Sequence, residues 1–257
     1  MKTHLNRWNF AASLAARHLM LSACIALFFA ALVYQIWYPS PFREMFGVGR
    51  IFLLILFVDV VCGPFLTLLL ANPRKSRREI TVDLGIIGVI QLLALSYGLH
   101  SVWFGRPVVL AFESDRLVVV SASEIDTLSL DKAPDALRRL PSSGVLLVAT
   151  RAHTSNTELL TSIDLSMAGL TPAMRPDWWE PMDNHLEKIR IRAKPLSDLV
   201  SKRPSDAAQI IEAAKETGYP VEHLTYLPLT NSKTKDWIAL LNPAMKMVGY
   251  VKADGFD

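Results

Sequence analysis

Residues 51–71 read IFLLILFVDVVCGPFLTLLLA, an apolar run of about the roughly 20 residues that a helix needs to cross hydrocarbon, with a single acid, Asp59, near its middle. Two comparable runs flank it. Residues 19–37 follow a segment, 1–18, that carries Lys2, Arg7 and Arg17 and no acid, and residues 80–104 close with His100 and Trp103 just before Arg106. Residues 38–50, with Pro39 and Pro41, form a turn too short to hold a domain. Residues 72–79, NPRKSRRE, form a basic loop bearing Arg74, Lys75, Arg77 and Arg78. The first run is too long for a secretory signal, and it ends in Tyr34, Gln35, Trp37 and Tyr38, an interfacial aromatic cluster, instead of a small-residue cleavage site. The basic N-terminus and the basic loop share a side, which the excess of positive charge in cytoplasmic loops makes the cytoplasm. Three crossings then deliver residues 105–257 to the far side, the periplasm of a Gram-negative bacterium. The expected protein is thus a multi-pass protein of the inner membrane, with lipid as its immediate partner.

Apolar residues crowd the first 110 or so of the 257 positions and charges populate the remainder, so the chain reads as two regions. A formal charge of +3, without basic runs interleaved with aromatics, excludes nucleic acid as a partner. Cys24 and Cys62 both lie in apolar runs, so the soluble region has neither a disulfide framework nor a thiolate metal site and depends on its core. Residues 108–112, 117–120 and 145–148 are short β-branched runs that read as strands. Residues 237–241 and 247–251, joined through Asn242-Pro243, read as a hairpin. Ser205 is placed as the cap of a helix over 206–217, with Ala208, Ile211 and Ala214 on its buried face and Gly218 as its stop. The predicted fold is three transmembrane α-helices followed by a small α+β soluble domain.

Asp59 is the residue with the most physical content, because a carboxylate in mid-bilayer costs a few kcal/mol on the mildest scale and must face protein. Asp59, Gly63 and Thr67 fall at four-residue steps on one stripe, and Pro64 withholds a donor from the Val60 carbonyl, which predicts a bend there. On the third run Gly88, Gln91, Leu95 and Gly98 share a face, which places Gln91 within reach of Asp59. Two readings remain open: a glue contact within the bundle, or a site for a foreign transmembrane helix. A proton relay would need more titratable groups than these spans offer. His153, His185 and His223 are scattered, which predicts no metal, and the absence of a nucleophile elbow or phosphate loop predicts no enzyme and no cofactor. Trp178 and Trp179 form an anchor for a protein partner if exposed, and core packing if not.

DVVCGPFLTL at 59–68, DLGII at 83–87 and QLLALSYG at 91–98 resemble the type IV pilin accessory proteins of the TfpX/TfpZ group. RPDWW at 175–179, AKPL at 193–196 and LPL at 227–229 look like soluble-domain landmarks of the same family, and Cys62 departs from its pattern. The resemblance implies a non-catalytic accessory or chaperone protein acting on the major pilin, with other pilus assembly proteins as further partners, in pilin stability, fimbrial assembly or the pilus dynamics behind twitching motility. The residues expected to contact pilin come from the physical reading alone: Asp59, Gly63, Thr67, Gln91 and Gly98 in the membrane, and Trp178 and Trp179 outside it. The rival functions are a membrane-anchored sensor with a periplasmic ligand-binding domain, whose cytoplasmic segments are too short for an output module, and a membrane enzyme using Asp59, Asp164 or Asp177.

Overall fold

A computed structural model describes residues 2–256, with side chains from Arg7 onward. Met1, Asp257 and the side chain of Lys2, one of the basic groups of the N-terminal segment, lie outside the described residues. The chain divides into two compact units, Met1–Pro39 with Gly47–Phe104, and Ser40–Phe46 with Gly105–Asp257.

The first unit is helical. Helix α1 (Lys2–Ala31) runs on into a wider π-type turn over Leu32–Trp37. After the short helix α2 (Phe42–Met45), which belongs to the second unit, come α3 (Val48–Phe57), a second π-type turn (Val58–Cys62) and α4 (Gly63–Leu70). Helix α5 (Arg77–Phe104) completes the unit. Three stretches, Arg7–Trp37, Val48–Leu70 and Arg77–Phe104, are long and apolar enough to cross a membrane. Their outward faces carry Leu27, Phe28, Leu54, Phe65 and Leu93, all largely exposed, which in water would be costly and in lipid is the natural arrangement. The first stretch starts well before residue 19, where the hydropathy reading opens it. Arg17 and His18 interrupt the apolar run without ending the helix, because neither breaks backbone hydrogen bonding.

The second unit is built on a mixed eight-stranded sheet. Its strands are β1 (Pro107–Glu113), β2 (Arg116–Ser121), β3 (Leu146–Thr150), β4 (Trp179–Pro181), β5 (Lys194–Pro195), β6 (Thr225–Thr230), β7 (Trp237–Leu241) and β8 (Met247–Val251). They lie in the order β4-β3-β1-β2-β6-β7-β8, with β5 beside β6. The central β1–β2 hairpin is antiparallel, and each arm meets a parallel neighbour, β3 on one side and β6 on the other. Helices α6 (Asn156–Met167), α7 (Leu186–Arg192), α8 (Leu196–Lys202) and α9 (Ala207–Glu216) accompany the sheet. One apolar cluster gathers Val108, Val109, Val120, Val148 and Trp179, and another joins Leu196, Leu199 and Ile210 to Tyr226, Ile238 and Leu240. Each such side chain contributes about 1.5–3 kcal/mol of burial, so this unit holds without staples.

The sequence-predicted strands and the C-terminal hairpin are all present, whereas three features differ. Strand β6 contains Pro228, which reads as a breaker. The strand tolerates it because β5 pairs with Thr225 and Tyr226 and β2 with Leu229 and Thr230, leaving Pro228 between the two ladders on that edge. Ser205 does not cap α9, which follows Asp206 in a backbone conformation already helical, and the buried face holds Ile210 and Ala214, with Ala208 exposed. Gly218, with φ of 76°, does end it. Finally, residues 40–46 are no mere turn: within the second unit Asn231 Nδ2 donates to the Met45 carbonyl at 3.1 Å, Lys233 Nζ reaches the Phe46 carbonyl at 3.4 Å, and the Phe42 ring lies 6.2 Å from that of Tyr250.

Candidate functional site

The second membrane stretch is interrupted at Pro64, and the interruption organises the site. In ordinary α-winding Pro64 would owe its missing N–H to the Val60 carbonyl, as the sequence suggests. The segment before it is wound wider, over Val58–Cys62, so the carbonyl five residues back, that of Asp59, is the one left without a ladder partner. Gln91 of α5 supplies the missing donor, its Nε2 lying 2.8 Å from the Asp59 carbonyl oxygen. The approach requires a glycine opposite: a Cβ at Gly63 would overlap the Gln91 amide. Thus Pro64, Gly63 and Gln91 are parts of one repair.

The repair extends further than the sequence reading foresees. Gln91 Oε1 lies 2.8 Å from His18 Nε2, and His18 Nδ1 lies 2.6 Å from Thr67 Oγ1. One assignment satisfies every atom: Thr67 donates to Nδ1, the Nε2–H of His18 donates to Gln91 Oε1, and the Gln91 amide donates to the Asp59 carbonyl. Three helical stretches are stitched by this chain. Thr67 is fully buried, and Gly98 packs against Ile55 so closely that a Cβ would collide with that side chain. Gly63, Thr67, Gln91 and Gly98 are therefore taken up by contacts of the chain with itself. His18 is the residue missed. Its signal was a lone imidazole about three turns of helix inside an apolar stretch that begins at Arg7.

One group is left unspent. The Asp59 side chain is buried, yet its Oδ1 has no hydrogen-bond partner among the described residues. It lines a cavity of about 220 Å3 walled by Leu21, Ser22, Ile25, Leu92 and Leu95. Leu21 and Leu92 are largely exposed, so the cavity adjoins the lipid-facing surface. A buried acceptor costs of order 1–3 kcal/mol when unpaired. The cavity therefore suits an incoming hydrogen-bond donor on an apolar body.

The aromatic pair expected to anchor a partner takes its other reading. Trp178 is 1% and Trp179 2% exposed. Trp179 Nε1 donates to the Ala173 carbonyl at 2.9 Å within the core, and Trp178 lies under the guanidinium groups of Arg151 and Arg175, at 4.5 and 5.0 Å from the ring centre. The burial has a simple cause, since large rings this close to β-strands gain more from burial than from display. In the basic loop, Lys75 pairs with Asp83 at 2.6 Å. Arg74 and Arg78 are exposed, and Arg77 opens α5. Among the described residues no group of His, Cys, Asp or Glu side chains is placed to hold a metal ion.

Residues 6–47 match the family described as fimbrial assembly protein FimB. Over 255 residues, 98% of both chains, the sequence is 34% identical to the fimbrial assembly protein of serogroup E1 of Dichelobacter nodosus, and it is equally similar to that of serogroup I. The protein of serogroups C1 and C2 of the same organism is 38% identical over 130 residues, 51% of this chain and 97% of its own length. No solved structure matches.

Proposed function

This chain belongs to the fimbrial assembly protein family, and from that premise we propose that it is a non-catalytic accessory protein of the inner membrane, of the TfpX/TfpZ kind, that binds type IV pilin. It promotes pilin stability, pilus assembly or pilus dynamics. The observation that carries the reading is the unpartnered Asp59 carboxylate in a cavity beside the lipid-facing surface. A protein that only anchored a domain would have no reason to keep it. A transmembrane segment of pilin that presents a donor would satisfy Asp59 and cover the cavity. The other polar positions of the stripe act by holding this pocket open.

Topology supports a periplasmic second unit. Residues 40–46 and 105–257 belong to one compact unit, so the loop after the first stretch and the segment after the third share a side. The loop with Arg74, Lys75, Arg77 and Arg78 takes the opposite, cytoplasmic side.

The test is co-purification in mild detergent from cells that make type IV pilin. Asp59→Leu is expected to insert normally and to recover about tenfold less pilin, since interhelical polar contacts in lipid are worth about 1–2 kcal/mol. Asp59→Asn, which keeps an acceptor, is expected to retain most of it. Pilin that never accompanies the wild-type protein, together with unchanged piliation and twitching on deletion, would sink the reading.

A further inference from the structure

A second cavity, of about 460 Å3, lies in the soluble unit at the carboxyl ends of the parallel strands β1 and β3. Strands diverge there and loops take over, and it is where open sheets with parallel strands most often bind ligands. Trp178 forms its floor, with Phe112 and Pro172 adding apolar wall, and α7 presents Lys188 and Arg192 one turn apart on its edge. Arg151, His153 and His185 also line it, against one acid, Glu113. That acid is already engaged within the fold. It accepts a hydrogen bond from the Ala173 amide at 2.9 Å, and burial pushes its carboxyl up from the ordinary value.

The basic groups are not all occupied. Arg151 is paired with Glu158 at 2.6 Å, but Lys188 and Arg192 are exposed and have no ion pair or hydrogen bond among the described residues. Two buried rings that line the cavity also hold unsatisfied nitrogens, Trp178 Nε1 and His185 Nδ1. Beside them Ile191 is 78% exposed, an apolar contact adjoining the charged edge.

We propose that this cleft binds an acidic peptide segment of a protein partner, its carboxylates held by Lys188 and Arg192 and an apolar side chain resting against Ile191 and Pro172. The mixed lining argues for peptide over a bare anion, which would leave the apolar half of the cleft unused. The cleft lies in a different unit from the membrane cavity around Asp59, and its ligand need not be the same molecule.

Full-length protein in mild detergent is titrated with a fluorescein-labelled oligoglutamate peptide carrying a central leucine, and anisotropy is read. Binding is expected to weaken as salt rises. The Lys188→Glu/Arg192→Glu double variant is expected to weaken it at least tenfold, whereas Lys235→Glu, at an exposed position away from the cleft, is expected to leave it within twofold. Both sites are exposed, so unchanged thermal melting accompanies the loss. The proposal is overturned if the double variant binds as the wild type does, or if Lys235→Glu weakens binding as much. It is also overturned if inorganic phosphate or phosphatidylglycerol vesicles bind in a Lys188- and Arg192-dependent way while the peptide does not.

Discussion

The two units of this protein are built inside out with respect to each other. The membrane unit turns Leu27, Phe28, Leu54 and Leu93 outward and buries Asp59 and Thr67, whereas the soluble unit buries Leu110, Leu117, Leu227 and Ile238 and leaves most of its charges outside. Apolar burial gives the soluble unit its stability, because water is excluded from a large area. In lipid that driving force is absent, and close contact with a few hydrogen bonds must substitute. Gly98 against Ile55 and the Gln91–His18–Thr67 chain are those substitutes.

The sharpest way to break the contrast is to make a cavity in one unit and watch the other by hydrogen exchange on the full chain in nanodiscs. Trp179→Ala is expected to cost the soluble unit about 3–5 kcal/mol, with faster exchange in β1, β3 and β4 and unchanged protection in α1, α4 and α5. Overfilling is the corresponding insult to the membrane unit. Gly63→Leu would drive into Gln91 and is expected to cost about 1–3 kcal/mol, read as faster exchange of α4 and α5 and lower thermal stability in detergent.

A smaller effect separates hydrogen bonding from packing. Gln91→Leu alone is expected to destabilise the membrane unit by about 1 kcal/mol or somewhat more, because it strands both His18 and the Asp59 carbonyl. Adding His18→Leu and Thr67→Val should recover part of that loss, since unmet partners cost more than absent ones. A triple variant less stable than the single one would show that the chain of hydrogen bonds is not what joins these helices.

The smallest effect concerns charge. The Arg151 guanidinium and the Thr154 amide hold the Glu158 carboxyl at about 2, below its ordinary 4.5. A depressed acid stabilises the folded state above its unfolded pKa, and that contribution disappears as pH falls from about 4.5 to about 2. Glu158→Gln should therefore lower stability slightly at pH 7 and equal the wild type near pH 2, a difference that melting curves across that range would resolve.

Most of the architecture was legible in the sequence because hydropathy and β-branched runs report local environment. The three stretches, the β1, β2 and β3 strands and the terminal hairpin are of this kind. What could not be read depends on contacts distant along the chain. Strand β6 hides behind Pro228, whose tolerance rests on a gap between two neighbours. Residues 40–46 join the soluble unit through Asn231 and Tyr250. Helix α6 went unread although Ser155 accepts from the Glu158 amide at 3.1 Å, a capping pair visible as Ser-x-x-Glu. Of the residues singled out by spacing, Asp59, Gly63, Thr67 and Gln91 come together in the membrane unit, while His18 was lost to a boundary drawn one residue beyond it.

The wide turn before Pro64 also sets the phase of the segment. On a regular helix each residue advances about 100°, so one added residue would rotate all that follows by about that angle. The π-type winding over Val58–Cys62 accommodates such a residue within the helix. A chain one residue shorter at this point could wind regularly, and its proline would then orphan the carbonyl four residues back instead of the one that Gln91 serves. Length and chemistry are thus coupled here: the proline frees a carbonyl, and the supernumerary residue decides that it is the one Gln91 meets.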